Sequence, residues 1–302
     1  MPPQDRSPIH RLFLSPAGRL RSGWRLLGQA SLLFIFLVVL GIPLGIVWIL
    51  FPGLPRQGLL LIEGLILFLA INASVYLARR LLDRRSFASL GLRWDAWAIR
   101  DLLFGIQLTG LMMGLIFLIE WAAGWLTFEG FAWEDQSWGS VVAATLISAL
   151  AFLMVGWHEE LISRGYWLQN LTDGFNLNWG LAISSGLFSL AHLANPNASW
   201  EAVVGLFFSG LFLAYGYLRT RQLWLSIGLH IGWNFFEGVI FGFPVSGSDF
   251  FRLVYHTVQG PELVTGGAFG PEAGLVLLPA LVLGTALIYI YTRNRNDPGD
   301  KG

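Results

Sequence analysis

The chain has 302 residues, of which 55% are hydrophobic and only 13% charged, and its mean hydropathy is +0.60. Ordinary soluble domains carry about a quarter charged residues, so the composition excludes that class and points to a polytopic membrane protein. The 19 basic and 19 acidic residues cancel, giving no pull toward nucleic acid, and the absence of cysteine excludes disulfides, thiolate chemistry and Cys-ligated metal.

In chain order, residues 1–28 form a basic arm with Arg6, Arg11, Arg19, Arg21 and Arg25, expected to be disordered or to lie along the membrane surface. No cleavable signal peptide is read, because the first apolar run begins near Gln29, behind this Arg-rich tail, and is long enough to span. Apolar stretches follow at about 29–51, 59–78, 101–123, 139–169, 178–195, 202–218, 223–241 and 272–292, each long enough or nearly so to cross as a helix. Pro43 lies inside the first and predicts a kink. The expectation is an all-α polytopic transmembrane bundle of about eight spans over residues 29–292, followed by a short tail, 293–302.

Orientation follows from the positive charges, since Lys and Arg in short loops stay cytoplasmic. With eight spans and the N-terminus inside, all of the 19 basic residues but Arg56 and Arg252 fall on the inner side. Glu129, Glu134, Asp135, Asp249, Glu262 and Glu272 fall outside. Both termini are therefore expected in the cytoplasm, with loops 124–138 and 242–271 outside. The Gly-rich region 242–274 reads as a re-entrant or folded outer loop.

One stretch does not suit a bilayer: Gly156-Trp157-His158-Glu159-Glu160-Leu161-Ile162-Ser163-Arg164-Gly165. An ionisable group at mid-membrane costs roughly 2.5–3.5 kcal/mol on insertion scales, so three such groups mark a functional site. At helical spacing Glu160 and Arg164 share a face and pair, while Glu159 is turned about 100° away. Two later apolar segments supply partners: Phe188-Ser189-Leu190-Ala191-His192, and His230-Ile231-Gly232-Trp233-Asn234. On the eight-span reading, Glu159 and His192 lie about 16 and 21 Å from the inner ends of their helices, and His230 and Asn234 about 10 and 16 Å. These depths let the four side chains converge in the inner half of the bilayer. A buried glutamate has its pKa raised toward the range of a general base, and His230 and Asn234 can donate to an oxyanion.

The three pieces, E-E-x-x-x-R, F-x-x-x-H and H-x-x-x-N in that order, resemble the CPBP intramembrane proteases, the group that includes CAAX prenyl endopeptidases of the Rce1 type and bacterial Abi proteins. The resemblance covers about residues 140–240. It implies that Glu159 and His192 activate water, that His230 and Asn234 steady the oxyanion, and that Glu160 and Arg164 support the site. It also implies a membrane-associated peptide or protein substrate, one that carries a lipid in the CAAX case. A multi-pass protein of a prokaryotic plasma (inner) membrane is expected.

Other readings stand beside this one. His158-Glu159 begins like H-E-x-x-H, but Ile162 takes the second histidine's place. Zinc stays open, with Glu159, His192 and His230 as three ligands. His158 reads as a packing residue, and Glu63 and Glu237 as charges with a buried partner or a water-facing position. No role is read for His10 or His256. The non-enzymatic alternative is a membrane peptide-binding protein, such as a bacteriocin-immunity or assembly factor. A proton-coupled transporter using Glu159 is disfavoured, because no internal repeat is detected.

Overall fold

The computed structural model describes residues 12–15, 18–51 and 56–295, so Arg6, His10, Arg11 and Lys301 lie outside the described residues. In chain order the helices are α1 (Ser22–Leu50), α2 (Arg56–Leu77), α3 (Ala98–Ala122), α4 (Trp138–Glu160), α5 (Leu168–Gly174), α6 (Leu177–Ala191), α7 (Trp200–Thr220), α8 (Trp224–Asn234) and α9 (Leu277–Thr292). Three π-helical stretches extend them: Ala78–Leu82 prolongs α2, Leu161–Trp167 joins α4 to α5, and Phe235–Ile240 prolongs α8.

Each of the expected apolar stretches coincides with a helix. Five helical segments are long and apolar enough to cross a membrane, namely Ser22–Leu50, Ile62–Leu82, Ala98–Ala122, Trp138–Gly174 and Trp200–Thr220. The protein is thus an integral, predominantly helical membrane protein, with five crossings rather than eight on length and composition. Helices α6, α8 and α9 have 15, 11 and 16 residues; at 1.5 Å per residue each falls short of a bilayer core of about 30 Å.

Several boundaries move. The stretch expected at 178–195 ends as α-helix at Ala191, where a 3-10 turn begins at His192. The last one starts at Leu277, because Pro271–Ala273 is a 3-10 turn flanked by glycine. The first starts at Ser22, so Arg25 belongs to α1 and not to a polar arm. Its charge is met inside the protein, where Arg25 Nη1 lies 3.4 Å from Asp83 Oδ1 and Nη2 lies 3.5 Å from Asp173 Oδ2.

The all-α expectation also meets an exception. Strands β1 (Leu126–Phe131) and β2 (Val254–Val258) pair antiparallel, Leu126 opposite Val258, with a bulge between Phe128 and Gly130. This ladder ties the segment after α3 to the segment after α8, so both lie on one side of the membrane.

The chain divides into two compact units, one formed by residues 1–92 and 158–184, the other by 93–157 and 185–302. In the first, α1 packs on α2 and α5. A polar knot holds this packing: Arg79, 1% exposed, donates to Asp83 Oδ2 at 2.8 Å, to the Ser89 carbonyl at 3.0 Å and to Gln169 Oε1 at 3.1 Å. In the second, α8 packs closely on α3, and α9 packs on α3 and α7. The core there includes Met112, Ile116, Leu206, Phe212, Leu229 and Leu277. A Cβ on Gly228 would meet the Leu102 carbonyl, so glycine allows the backbones of α8 and α3 to touch.

Candidate active site

In the first unit, α4 ends at the two carboxylates. Glu160 is fully buried, and Arg164 Nη1, itself on a buried side chain, donates to Glu160 Oε1 at 2.7 Å. The i,i+4 spacing predicted this bond, and the π-helical stretch from Leu161 still permits it. Glu159, one position earlier, is partly buried. His158 is buried and stands edge-on to Phe68, with ring centres 6.2 Å apart. π-turns of this kind recur at functional sites.

In the second unit, α8 carries His230 and Asn234 one turn apart, each 6% exposed. The helix is held close to α4 by a glycine: a Cβ on Gly156 would stand 2.6 Å from Ile231 Cγ1 and 2.9 Å from the Ile231 nitrogen. His192 and His230 flank one aromatic ring, with centres 4.9 and 6.0 Å from that of Phe188. His192 Nδ1 is 2.8 Å from the Phe188 carbonyl oxygen, so this nitrogen carries the proton and Nε2 is left as an acceptor. Phe188 in the F-x-x-x-H piece therefore orients both imidazoles.

Beside them lies a cavity of ≈ 20 Å³ lined by His230, Asn234, Glu272, Phe188, Ser209 and Thr109 among others. That is just above the roughly 10–15 Å³ that one water needs. Glu272 is the residue that sequence reading missed. It stands in the turn before α9, 5% exposed, and accepts a 2.5 Å bond from the Ser246 hydroxyl. Burial raises its carboxyl above the usual range, while the Ser246 hydroxyl and the charges of His192 and His230 pull it back. The Ser246 carbonyl accepts from Asn195 Nδ2 at 3.0 Å, which fastens the 242–276 segment to the turn after His192. Only its position next to an apolar run could have flagged Glu272, and that position also fits an ordinary boundary charge.

His192 thus closes α6 at the end that adjoins 242–276. The arginine distribution assigns that segment to the outside, so the expected placement of His192 in the inner half of the bilayer does not hold together with that topology. Glu237 is fully buried and Glu63 exposed. Among the described residues no group of three or more His, Asp or Glu side chains is gathered as a metal ion requires. The proposed zinc ligands do not meet that test, and no step below passes through a metal.

The fold and the polar groups define an integral membrane protein with a buried Glu–Arg pair at the end of one helix and a His–Asn pair beside a water-sized cavity. Residues 141–236 match the family model described as Type II CAAX prenyl endopeptidase Rce1-like, a peptidase family. The stretch that carries all three motifs belongs to that family, and the resemblance read from the sequence holds over it. Comparison with curated proteins and with solved structures gives no match.

Proposed function

We propose that the protein is an intramembrane endopeptidase that hydrolyses a peptide bond of a membrane-presented, lipidated CAAX-like substrate. The observation that carries this reading is the family match, because 141–236 includes Glu159, Glu160, Arg164, His192, His230 and Asn234 together. Glu159 takes the proton of a water as its oxygen attacks the scissile carbonyl, with His192 holding that water. The carbonyl becomes a tetrahedral oxyanion, to which His230 and Asn234 donate. The C–N bond then breaks, and the proton on Glu159 passes to the leaving amine. Glu160 and Arg164 hold the end of α4 in place. We further propose eight crossings with cytoplasmic termini, in a prokaryotic plasma membrane.

Glu159→Gln tests the assignment. It keeps the shape and removes the proton acceptor, so cleavage of a farnesylated peptide ending in a CAAX sequence should fall by orders of magnitude while the fold persists. Turnover near that of the wild type rejects Glu159 as the base, and no cleavage by the wild type favours the peptide-binding alternative.

A further inference from the structure

An open cavity of ≈ 650 Å³ lies where the segment before α3, the end of α7 and the end of α9 meet, and its lining includes Arg93, Arg219, Arg221, Arg293 and Arg295. All of it belongs to the second unit. The volume is within the range of ligand sites.

Two of the guanidiniums are built into the walls. Arg219 Nε donates to Thr292 Oγ1 at 2.8 Å, and its guanidinium lies 5.3 Å from the centre of the Tyr289 ring. Arg295 donates to both Asp101 oxygens, to Oδ2 at 2.9 Å, and lies 4.2 Å from the centre of the Trp97 ring. The other three are different. Arg93, Arg221 and Arg293 are exposed, and among the described residues none of them is in an ion pair. Arg221 also closes α7 with φ 54°, a left-handed setting that glycine fills with least strain.

Against this stand Asp95 in the lining and the ends of α7 and α9, each worth about half a negative charge. Asp101 is already matched by Arg295. Positive charge therefore remains in excess, and it is not neutralised from within.

The surroundings say what kind of anion fits. Trp94, Trp97 and Tyr289, within about one helical turn of the lining arginines, are 68%, 43% and 54% exposed. Exposed Trp and Tyr mark the membrane–water interface. Ile99 and Leu103 on α3 and Ile290 on α9 carry exposed apolar surface away from the same level.

We propose that this cavity binds the phosphate of an anionic membrane lipid, with Arg93, Arg221 and Arg293 taking the phosphate oxygens and the exposed faces of α3 and α9 receiving the acyl chains. Guanidinium forks match phosphate geometry, and basic pockets between membrane helices are suited to such headgroups. The site stands apart from the residues proposed for catalysis, so its fate does not depend on that assignment.

The test uses the full chain in phosphatidylcholine nanodiscs with and without phosphatidylglycerol, reading co-purified lipid by native mass spectrometry. The wild type should retain phosphatidylglycerol selectively. Each guanidinium removed should weaken binding about fivefold, and the triple Arg93→Gln, Arg221→Gln, Arg293→Gln variant on the order of 100-fold. The triple lysine variant, which keeps the charges that direct insertion, should lose less. Arg252→Gln, a charge removed from the 242–276 segment, should change nothing. Undiminished retention by a folded glutamine triple overturns the site, as does a wild type that shows no preference for the anionic lipid. Binding of inorganic phosphate in competition, without lipid enrichment, overturns the lipid source and leaves a free phosphate site.

Discussion

Arg164 donates to Glu160 across a single turn at 2.7 Å, and both side chains are shut away from solvent. Neither charge has bulk water to fall back on, so each depends on the other.

Removing one partner of a buried pair leaves an uncompensated charge, at a cost of about 3–5 kcal/mol. Glu160→Gln should therefore lower thermal stability strongly, while Glu159→Gln lowers it little. A double Glu160→Gln, Arg164→Met variant should regain part of the loss. Melting in detergent by intrinsic tryptophan fluorescence reads all three, and equal stability of the two glutamine variants would contradict the pairing.

The role proposed for Asn234 predicts an effect on rate rather than on affinity. A bond that strengthens only as the oxyanion forms acts on the transition state, and one such donor is worth about 10²–10³ in kcat. Asn234→Ala should lower kcat by that order with KM within a few-fold. The same assay after exhaustive chelation should retain activity. Loss that returns stoichiometrically with added zinc would reassign Glu159, His192 and His230 as ligands.

Because β1 pairs with β2, single cysteines at Asp135 and Gln259, both exposed, should share one labelling pattern in intact cells. The arginine distribution adds that they react from outside and that exposed Ser86 does not. The wild type has no cysteine, so the background is clean. Opposite behaviour of the first two would contradict the strand pairing, and reaction at Ser86 would reverse the orientation.

His256 on β2 sits 6% exposed against the rings of Phe117 and Phe243, at 6.0 and 4.7 Å, and burial pushes its pKa down to about 4. Its folded pKa lies below the unfolded value near 6.5, so the stability it contributes is complete above pH 6.5 and lost as pH falls toward 4. Hydrogen exchange across Val254–Val258 should quicken between pH 7 and pH 5 beyond the intrinsic rate, and His256→Phe should remove that excess. An unchanged pH dependence in the variant would place its origin elsewhere.

The sequence carried the helices and the motifs because hydrophobic runs and i,i+4 spacing are local. The Glu160–Arg164 bond is of that kind. Arg25, Arg79 and Asp83 were harder, since their partners come from distant parts of the chain and composition alone puts a charge in a loop. The β1–β2 ladder joins residues more than a hundred positions apart, which no local pattern announces. Glu272 was read as a boundary charge because a carboxylate before an apolar run looks the same whether it faces water or two histidines. The ends of α6 and α9 shifted because apolar residues continue past the hydrogen-bonded helix into 3-10 turns.

The π-helical stretches after Glu160 and after Asn234 change what a length mutation means. A π-turn holds a residue that a regular α-helix over the same rise would not, so deleting one residue within 161–167 invites the backbone to relax into uninterrupted α-helix. Such a deletion turns Glu159, Glu160 and everything before them by about 100° relative to α5, while the hydropathy profile hardly changes. Between Leu161 and Trp167, the azimuth of the carboxylates is set by residue count, independently of any side chain that could be substituted.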